Sequence, residues 1–507
     1  MARPNILFIL ADQHRADCLS CAGHPDVRTP HIDSIARAGV RYANCFCTLP
    51  VCTPSRYSLL SGRYVHETRC WDNHCTLLPE VPTFPRTLRE IGYRTAAIGK
   101  MHFTPTYLDV GFDRLTLCEQ HGDGRWDDDY HRMLMEKGLV DVNDQEDQVE
   151  RYRKAAPPEY WSTRGCKVSN LPDALHSTTW IGDRAIDELE SWSKERPNLL
   201  MVGFVKPHHP MDPPAPWDQM YDPAQLTIPP DYTPQALERD LAVSTGFFPH
   251  ADLNETALRK SLALYYATIS HLDREVGRML DCLEKRGLLD NTVVVYAADH
   301  GDYAGCHHMM LKGGTMYDPL VRVPLIIRYP GQAGRARAGE VAPEQVSLVD
   351  LAGTLCAQGE VEFPAGKDEG LDLALPRAER DIVFAEEGCH WPEVGTGIMA
   401  RTRGSKLIRA TIPGKLSLFF DLKADPYELN NRMYEPACQN EIMRLEAAIR
   451  RWRGHGWRHA TTLDENAPQI RQPNVAPTPN DRAAARARLQ AFTWSAMKKA
   501  GYDAPQP

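Results

Sequence analysis

The chain has 507 residues, 42% hydrophobic and 25% charged, an ordinary composition for a soluble globular protein, with more length than one compact core uses. Its 58 Lys and Arg against 67 Asp and Glu give a formal charge of −9, which excludes a general nucleic-acid binder, because such a protein needs basic groups in excess to displace counterions. No run of about 18 apolar residues occurs, so no membrane span is predicted.

The apolar run Ile6-Leu7-Phe8-Ile9-Leu10 is too short for a secretion signal, and Asp12 follows it without a small-residue cleavage site. It predicts a buried first strand that delivers Asp12 and Gln13 to the sheet edge where α/β proteins place ligands. A cytoplasmic location is expected, with most of the 14 cysteines free and buried and not joined in a disulfide framework. Thr29 to Val40 reads as a helix entered through Pro30 and closed by Gly39.

In Cys52-Thr53-Pro54-Ser55-Arg56 a short helical run begins that stops at Gly62. Taken alone, Cys52, Pro54 and Arg56 describe a small buried cysteine at a helix start. The extension Ser58-Leu59-Leu60-Ser61-Gly62-Arg63 resembles the formylglycine-dependent sulfatase family of the alkaline phosphatase superfamily, in which this cysteine is oxidised after translation. The resemblance explains the residue choice. An aldehyde hydrates to a diol, one hydroxyl attacks once its pKa is lowered, and the second lets the covalent ester collapse, an exit that serine or cysteine lacks. A helix starting near Cys52 would also face the anion with its free N–H groups.

Trp71-Asp72-Asn73 reads as a structural turn similar to a segment of choline sulfatases. Thr83 to Ile91 reads as a helix and Gly92 to Ile98 as a second buried strand. Beyond it come Lys100 and His102, which in extended chain would point the same way. Gly111 to Asp129 is loop-like, and the run Trp126 to Tyr130 reads as a solvated acidic loop in place of a cage for a quaternary ammonium group. A third strand, Leu199 to Phe204, leads to Pro207-His208-His209-Pro210, where flanking prolines would aim the ring of His208. Pro213 to Asn254 is expected to be a long irregular insertion over the active face.

Leu262 to Arg286 has helical spacing, and the strand Thr292 to Ala297 ends in Asp299 and His300, followed by Gly305, His307 and Lys312. Val321 to Ile327 reads as a strand and Val346 to Cys356 as a helix. From Asp381 short β segments appear around Lys406 to Arg409 and Leu418 to Leu422, with a helix from Glu441 to Trp452. The tail from His459 is either an arm for a homo-oligomer or loose chain.

The resemblance covers roughly residues 3 to 455 and implies an α/β fold: a large, mainly parallel mixed sheet between helices, with a smaller C-terminal antiparallel sheet plus helix. The division expected is a catalytic part over 1–375, a subdomain over 376–458 and a tail over 459–507. It implies one divalent cation held by Asp12, Gln13, Cys52, Asp299 and His300, with Ca²⁺ first and Mn²⁺ the alternative. Arg56 would neutralise the diol oxygen, Lys100 and Lys312 would grip the sulfate oxygens, His208 would protonate the departing alcohol and His102 would release the covalent intermediate. Gln13 and His300 stand where classical sulfatases have acidic and Asn residues, a departure similar to choline sulfatases and phosphonate monoester hydrolases. The implied activity is hydrolysis of a small sulfate ester after action of a formylglycine-generating maturation enzyme. A phosphonate monoester or phosphodiester hydrolase with the same nucleophile is the alternative, and a binding protein that kept the fold is a third reading.

Overall fold

The computed structural model describes residues 3–241, 248, 253–313, 315–364, 370–375, 380–387, 397–411, 416–454, 479–502 and 504–505. The stretches 242–247 and 249–252 of the expected insertion, the expected boundary at 376 and the tail residues 459–478 lie outside the described residues.

Nine strands form the main sheet: β1 (Asn5–Asp12), β2 (Val40–Phe46), β3 (Arg94–Gly99), β4 (Arg114–Leu117), β5 (Asn198–Pro207), β6 (Thr292–Ala298), β7 (Arg322–Val323), β8 (Leu325–Arg328) and β9 (Glu340–Ser347). Their order is β4-β3-β5-β1-β6-β8-β2-β7, with β9 also on β2. The first five are mutually parallel, and β8 is antiparallel to both β6 and β2. Every residue of β1, β5 and β6 is buried, which is why these strands read as unbroken apolar runs and show no alternation.

Two groups of helices cover the sheet. Pro30–Ala38, Ser177–Glu190 and the 31-residue Glu255–Lys285 pack together, as do Cys52–Ser61, Phe84–Glu90 and Asp350–Gln358. A second sheet of four antiparallel strands, β10 (Val383–Glu386), β11 (Gly397–Arg401), β12 (Ser405–Ala410) and β13 (Leu418–Asp421), joins the helix Gln439–Arg453. Its alternation is clean: Ile398, Ala400, Leu407 and Phe419 meet Ile442, Leu445 and Ile449 of that helix, while Met399, Ile408, Leu418 and Phe420 belong to the main core. The α/β class expected from the sequence is thus the fold observed.

Several local readings are corrected. Within the supposed loop 111–129 lie β4 and a 3₁₀ turn, Gly122–Trp126. The acidic run is not solvated. Asp127 is buried against Arg482 and Arg486 of the helix Pro479–Lys499, and Asp128 caps the helix Asp129–Glu136 and holds His131. The strand read over 321–327 is broken into β7 and β8 at Pro324, which has no N–H to donate. Val346 belongs to β9, and the helix read from it starts at Asp350, whose carboxylate accepts from the Ser347 amide. β2, whose burial is mixed, carries no apolar run and goes unread in the sequence. All 13 cysteines among the described residues are free.

Candidate active site

β1 and β6 run side by side with Ala11 opposite Ala298, so Asp12-Gln13 and Asp299-His300 leave the same sheet edge as neighbours. The helix Cys52–Ser61 points its first residue at that edge. It is buried throughout and ends at Gly62, whose φ of +61° suits a glycine C-cap. Cys52 Sγ lies 3.7 Å from Asp12 Oδ1 and 3.3 Å from His300 Nε2, and ligand atoms of Asp12, Cys52, Asp299 and His300 all fall within 4.8 Å of one another.

Arg56, one turn along the helix, spans both acidic residues. It donates Nε to Asp299 at 2.8 Å, NH2 to Asp12 at 2.9 Å and NH1 to the Lys100 carbonyl. Lys100 Nζ is 2.8 Å from Asp12 Oδ2 and 3.2 Å from Gln120 Oε1. Against the upward push of burial, Lys100 and Arg56 hold the Asp12 carboxyl well below its ordinary range, whereas burial and the neighbouring Asp12 raise that of Asp299.

Lys312 closes the cluster. Its ammonium meets Cys52 Sγ at 3.0 Å, His208 Nε2 at 3.0 Å and His300 Nε2 at 3.1 Å. Both rings offer a lone pair there, since His300 Nδ1 donates to the Gly301 carbonyl at 2.9 Å and His208 Nδ1 to that of His209 at 2.7 Å. Burial and Asp12 push the Cys52 thiol up, but Lys312, Lys100 and His300 outweigh them and bring it down to about 6. Burial, with Lys312 and Lys100, depresses His208 well below the usual histidine range.

His102 does not follow the period-two extrapolation from β3. Gly99 has φ +89° and His102 φ +58°, so the chain leaves extended geometry as it leaves the sheet. The departure needs two glycines: a Cβ at Gly99 would stand 2.1 Å from the Gly203 carbonyl oxygen, and one at Gly203 would stand 2.1 Å from that of Lys100. His102 is instead placed by Glu119, which accepts its amide at 3.0 Å, and by Thr53 Oγ1, which donates to its carbonyl at 2.9 Å. Its ring stacks on His121, with centroids 5.6 Å apart. His209 points elsewhere, to Asp147 Oδ2 at 2.5 Å, which leaves His208 as the one of the pair that reaches Lys312.

Asp12, Cys52, Arg56, Lys100, Asp299, His300, Lys312 and His208 therefore converge, with His102 on the adjoining wall. Reading the sequence missed Gln120, Glu119 and His121, which follow the unrecognised β4, and took Asn73 as part of a structural turn, whereas its Oδ1 accepts the Thr53 amide at 3.0 Å beside Cys52. It also gave no role to Asp302, which accepts from Gln13 Nε2, although its place three residues past Asp299 was a signal. His307, by contrast, is tied to Asp240 and the Tyr427 carbonyl.

A divalent cation fits these residues. Two carboxylates and the Nε2 lone pair of His300 gather around Cys52, and Gln13, next in the chain to Asp12, keeps a buried Oε1 with no hydrogen-bond partner among the described residues, so the donors on offer are mainly hard oxygens. Asp299→Ala is accordingly expected to lower bound metal and turnover together, and exhaustive chelation to do the same reversibly. Elemental analysis beside activity checks this, and a fully active metal-free chain, or two tightly bound equivalents, would refute a single-ion site.

Residues 4–360 match the family model described as Sulfatase, and residues 306–455 match one described as N-sulphoglucosamine sulphohydrolase, C-terminal. The chain is 30% identical over 462 residues to an arylsulfatase of Clostridium perfringens, covering 85% of this chain and 90% of that protein. It is 28% identical over 460 residues to the choline-sulfatase of Rhizobium meliloti, covering 86% and 83%. In fold it is similar to the phosphonate monoester hydrolase of Agrobacterium radiobacter, with a TM-score of 0.70, 23% identity and coverage of 88% of this chain and 96% of that one. With the matched region spanning most of the chain and the buried acidic, histidine and cysteine cluster inside it, this protein belongs to the sulfatase family of the alkaline phosphatase superfamily, a family of sulfuric ester hydrolases.

Proposed function

We propose that the chain hydrolyses sulfate monoesters with a nucleophile formed by conversion of Cys52 to formylglycine by a maturation enzyme. The observation that carries this reading is the position of Cys52 at a helix N-terminus, buried between Asp12, His300 and the Lys312 ammonium. One divalent cation, Ca²⁺ before Mn²⁺, held by Asp12, Gln13, Asp299, His300 and residue 52, would supply Lewis acidity and orient the nucleophile. The chain's own residues do the rest. Arg56 fixes the two carboxylates so that they cannot turn towards the anionic substrate. Lys100 and Lys312 flank residue 52 with positive charge for the sulfate oxygens. His208 holds its Nδ1 proton on a carbonyl and takes a hydrogen bond from Lys312 on Nε2, so a proton shared by that pair is at hand for the departing oxygen. His102, whose buried Nδ1 has no partner among the described residues, is suited to deprotonate residue 52 as the enzyme-bound ester breaks down.

The phosphonate monoester and phosphodiester alternative keeps the same groups, since both ester classes present a tetrahedral centre with charged oxygens. The likeness in fold to a phosphonate monoester hydrolase keeps it open. One experiment addresses the acid and the ester class together: aryl and alkyl sulfates of graded leaving-group basicity, with one aryl phosphonate monoester, assayed on the wild type and on His208→Ala. The variant is expected to lose about 10²–10⁴-fold on the most basic leaving group and far less on activated aryl sulfates. An equal loss across the series would reject His208 as the acid, and a wild type that prefers the phosphonate would replace the proposed substrate class.

A further inference from the structure

A second reactive pair of side chains lies on the loop that follows the signature helix. Cys70 Sγ is 3.4 Å from the carbonyl oxygen of Thr76, the residue after Cys75, and Cys75 Sγ accepts the amide of Trp71, the residue after Cys70, at 3.3 Å. This reciprocal arrangement sets Cys70 and Cys75 side by side at the neck of the loop, with Cys75 Sγ also 3.4 Å from Asp72 Oδ1. Cys70 is 1% exposed, whereas Cys75 is half-buried. Between them, Asp72 turns the chain by accepting from the His74 amide at 2.7 Å, and Asn73 holds the Thr53 amide beside residue 52 and accepts Thr104 Oγ1 on its carbonyl at 3.3 Å. Trp71 lies under the Arg453 guanidinium, 5.1 Å from the ring centre, so the loop is braced by the C-terminal subdomain as well.

We propose that Cys70 and Cys75 form a reversible disulfide with low-molecular-weight disulfides as the oxidant, closing the loop that holds the start of the catalytic helix. The step is a thiol–disulfide exchange. The Cys75 thiolate, its proton lost to solvent, attacks one sulfur of glutathione disulfide and displaces a glutathione thiolate. The Cys70 thiolate then attacks the Cys75 sulfur of the mixed disulfide and displaces the second. Two protein thiols are oxidised and one disulfide is reduced to two thiols, with no other reactant. Cys75 is the more exposed of the two, and the neighbouring Cys70 thiol lowers it from its ordinary value while Cys75 and burial raise Cys70, which orders the two attacks. The inference does not depend on the substrate class, because its readout is the state of two sulfurs.

Trypsin releases Cys70–Arg86, a peptide that contains these two cysteines and no other. After the folded chain is incubated with glutathione disulfide and free thiols are alkylated, this peptide is expected unalkylated and two hydrogen atoms lighter, and doubly alkylated after dithiothreitol. In Cys70→Ser the glutathione adduct is expected to remain on Cys75, and in Cys75→Ser no adduct is expected on Cys70. A wild-type peptide that stays doubly alkylated while the half-buried Cys21 or Cys282 reacts would overturn the proposal. So would a glutathione adduct that persists on Cys75 beside a free Cys70.

Discussion

Cys52→Ala is expected to lower turnover by about 10³-fold or more while leaving the melting temperature close to that of the wild type. The loss follows from the geometry, because the Lys312 ammonium, His300 and Asp12 all converge on the sulfur and no second nucleophilic side chain takes its place in that cluster. The fold should persist because an alanine keeps the helical backbone of Cys52–Ser61 and removes one buried atom with polar contacts but no deep apolar packing role. Steady-state rates on an aryl sulfate, measured beside thermal melting, check both halves. Retention of a tenth of wild-type turnover in a clean preparation would remove Cys52 from the reaction.

The second large effect is on stability. Arg56→Ala should destabilise the chain by about 3–5 kcal/mol in addition to abolishing activity, since it leaves Asp12 and Asp299 buried without the guanidinium that spans them. Both carboxylates are fully buried, so solvent cannot take over, and Lys100 reaches Asp12 alone. Arg56→Lys should fall between, because a single ammonium cannot make the two-sided contact. Denaturant midpoints measured with chelator present separate this from any compensation by added cation. An Arg56→Ala midpoint equal to that of the wild type would show that the two carboxylates do not repel as the geometry requires.

The sequence by itself determined the elements whose local signal and tertiary environment agree. The strands β1, β5 and β6 are apolar throughout because both faces are covered, and the same continuity made them legible. The helix at Cys52 was legible through its motif and its glycine stop, and the pairs Asp12-Gln13 and Asp299-His300 through their place just past apolar runs. Residues at the ends of parallel neighbours must emerge together, so convergence of those pairs followed once the strands were known.

Only the tertiary structure decided the remainder. β2 and β4 carry little apolar signal because their stability comes from pairing to neighbours far away in sequence, such as β9 for β2 and β3 for β4. The direction of His102 depended on two glycines that let one strand end pass close to another, which no alternation rule contains. Asp127 and Asp128 looked like a solvated acidic loop because their partners, Arg482 and His131, lie across the fold or around a turn. The choice of His208 over His209 rested in the sequence on motif position, whereas in the folded chain it rests on which ring reaches Lys312 and which is held by Asp147. Charge and hydrogen bonding act through space, so a sequence displays the groups that need partners and the fold alone assigns them.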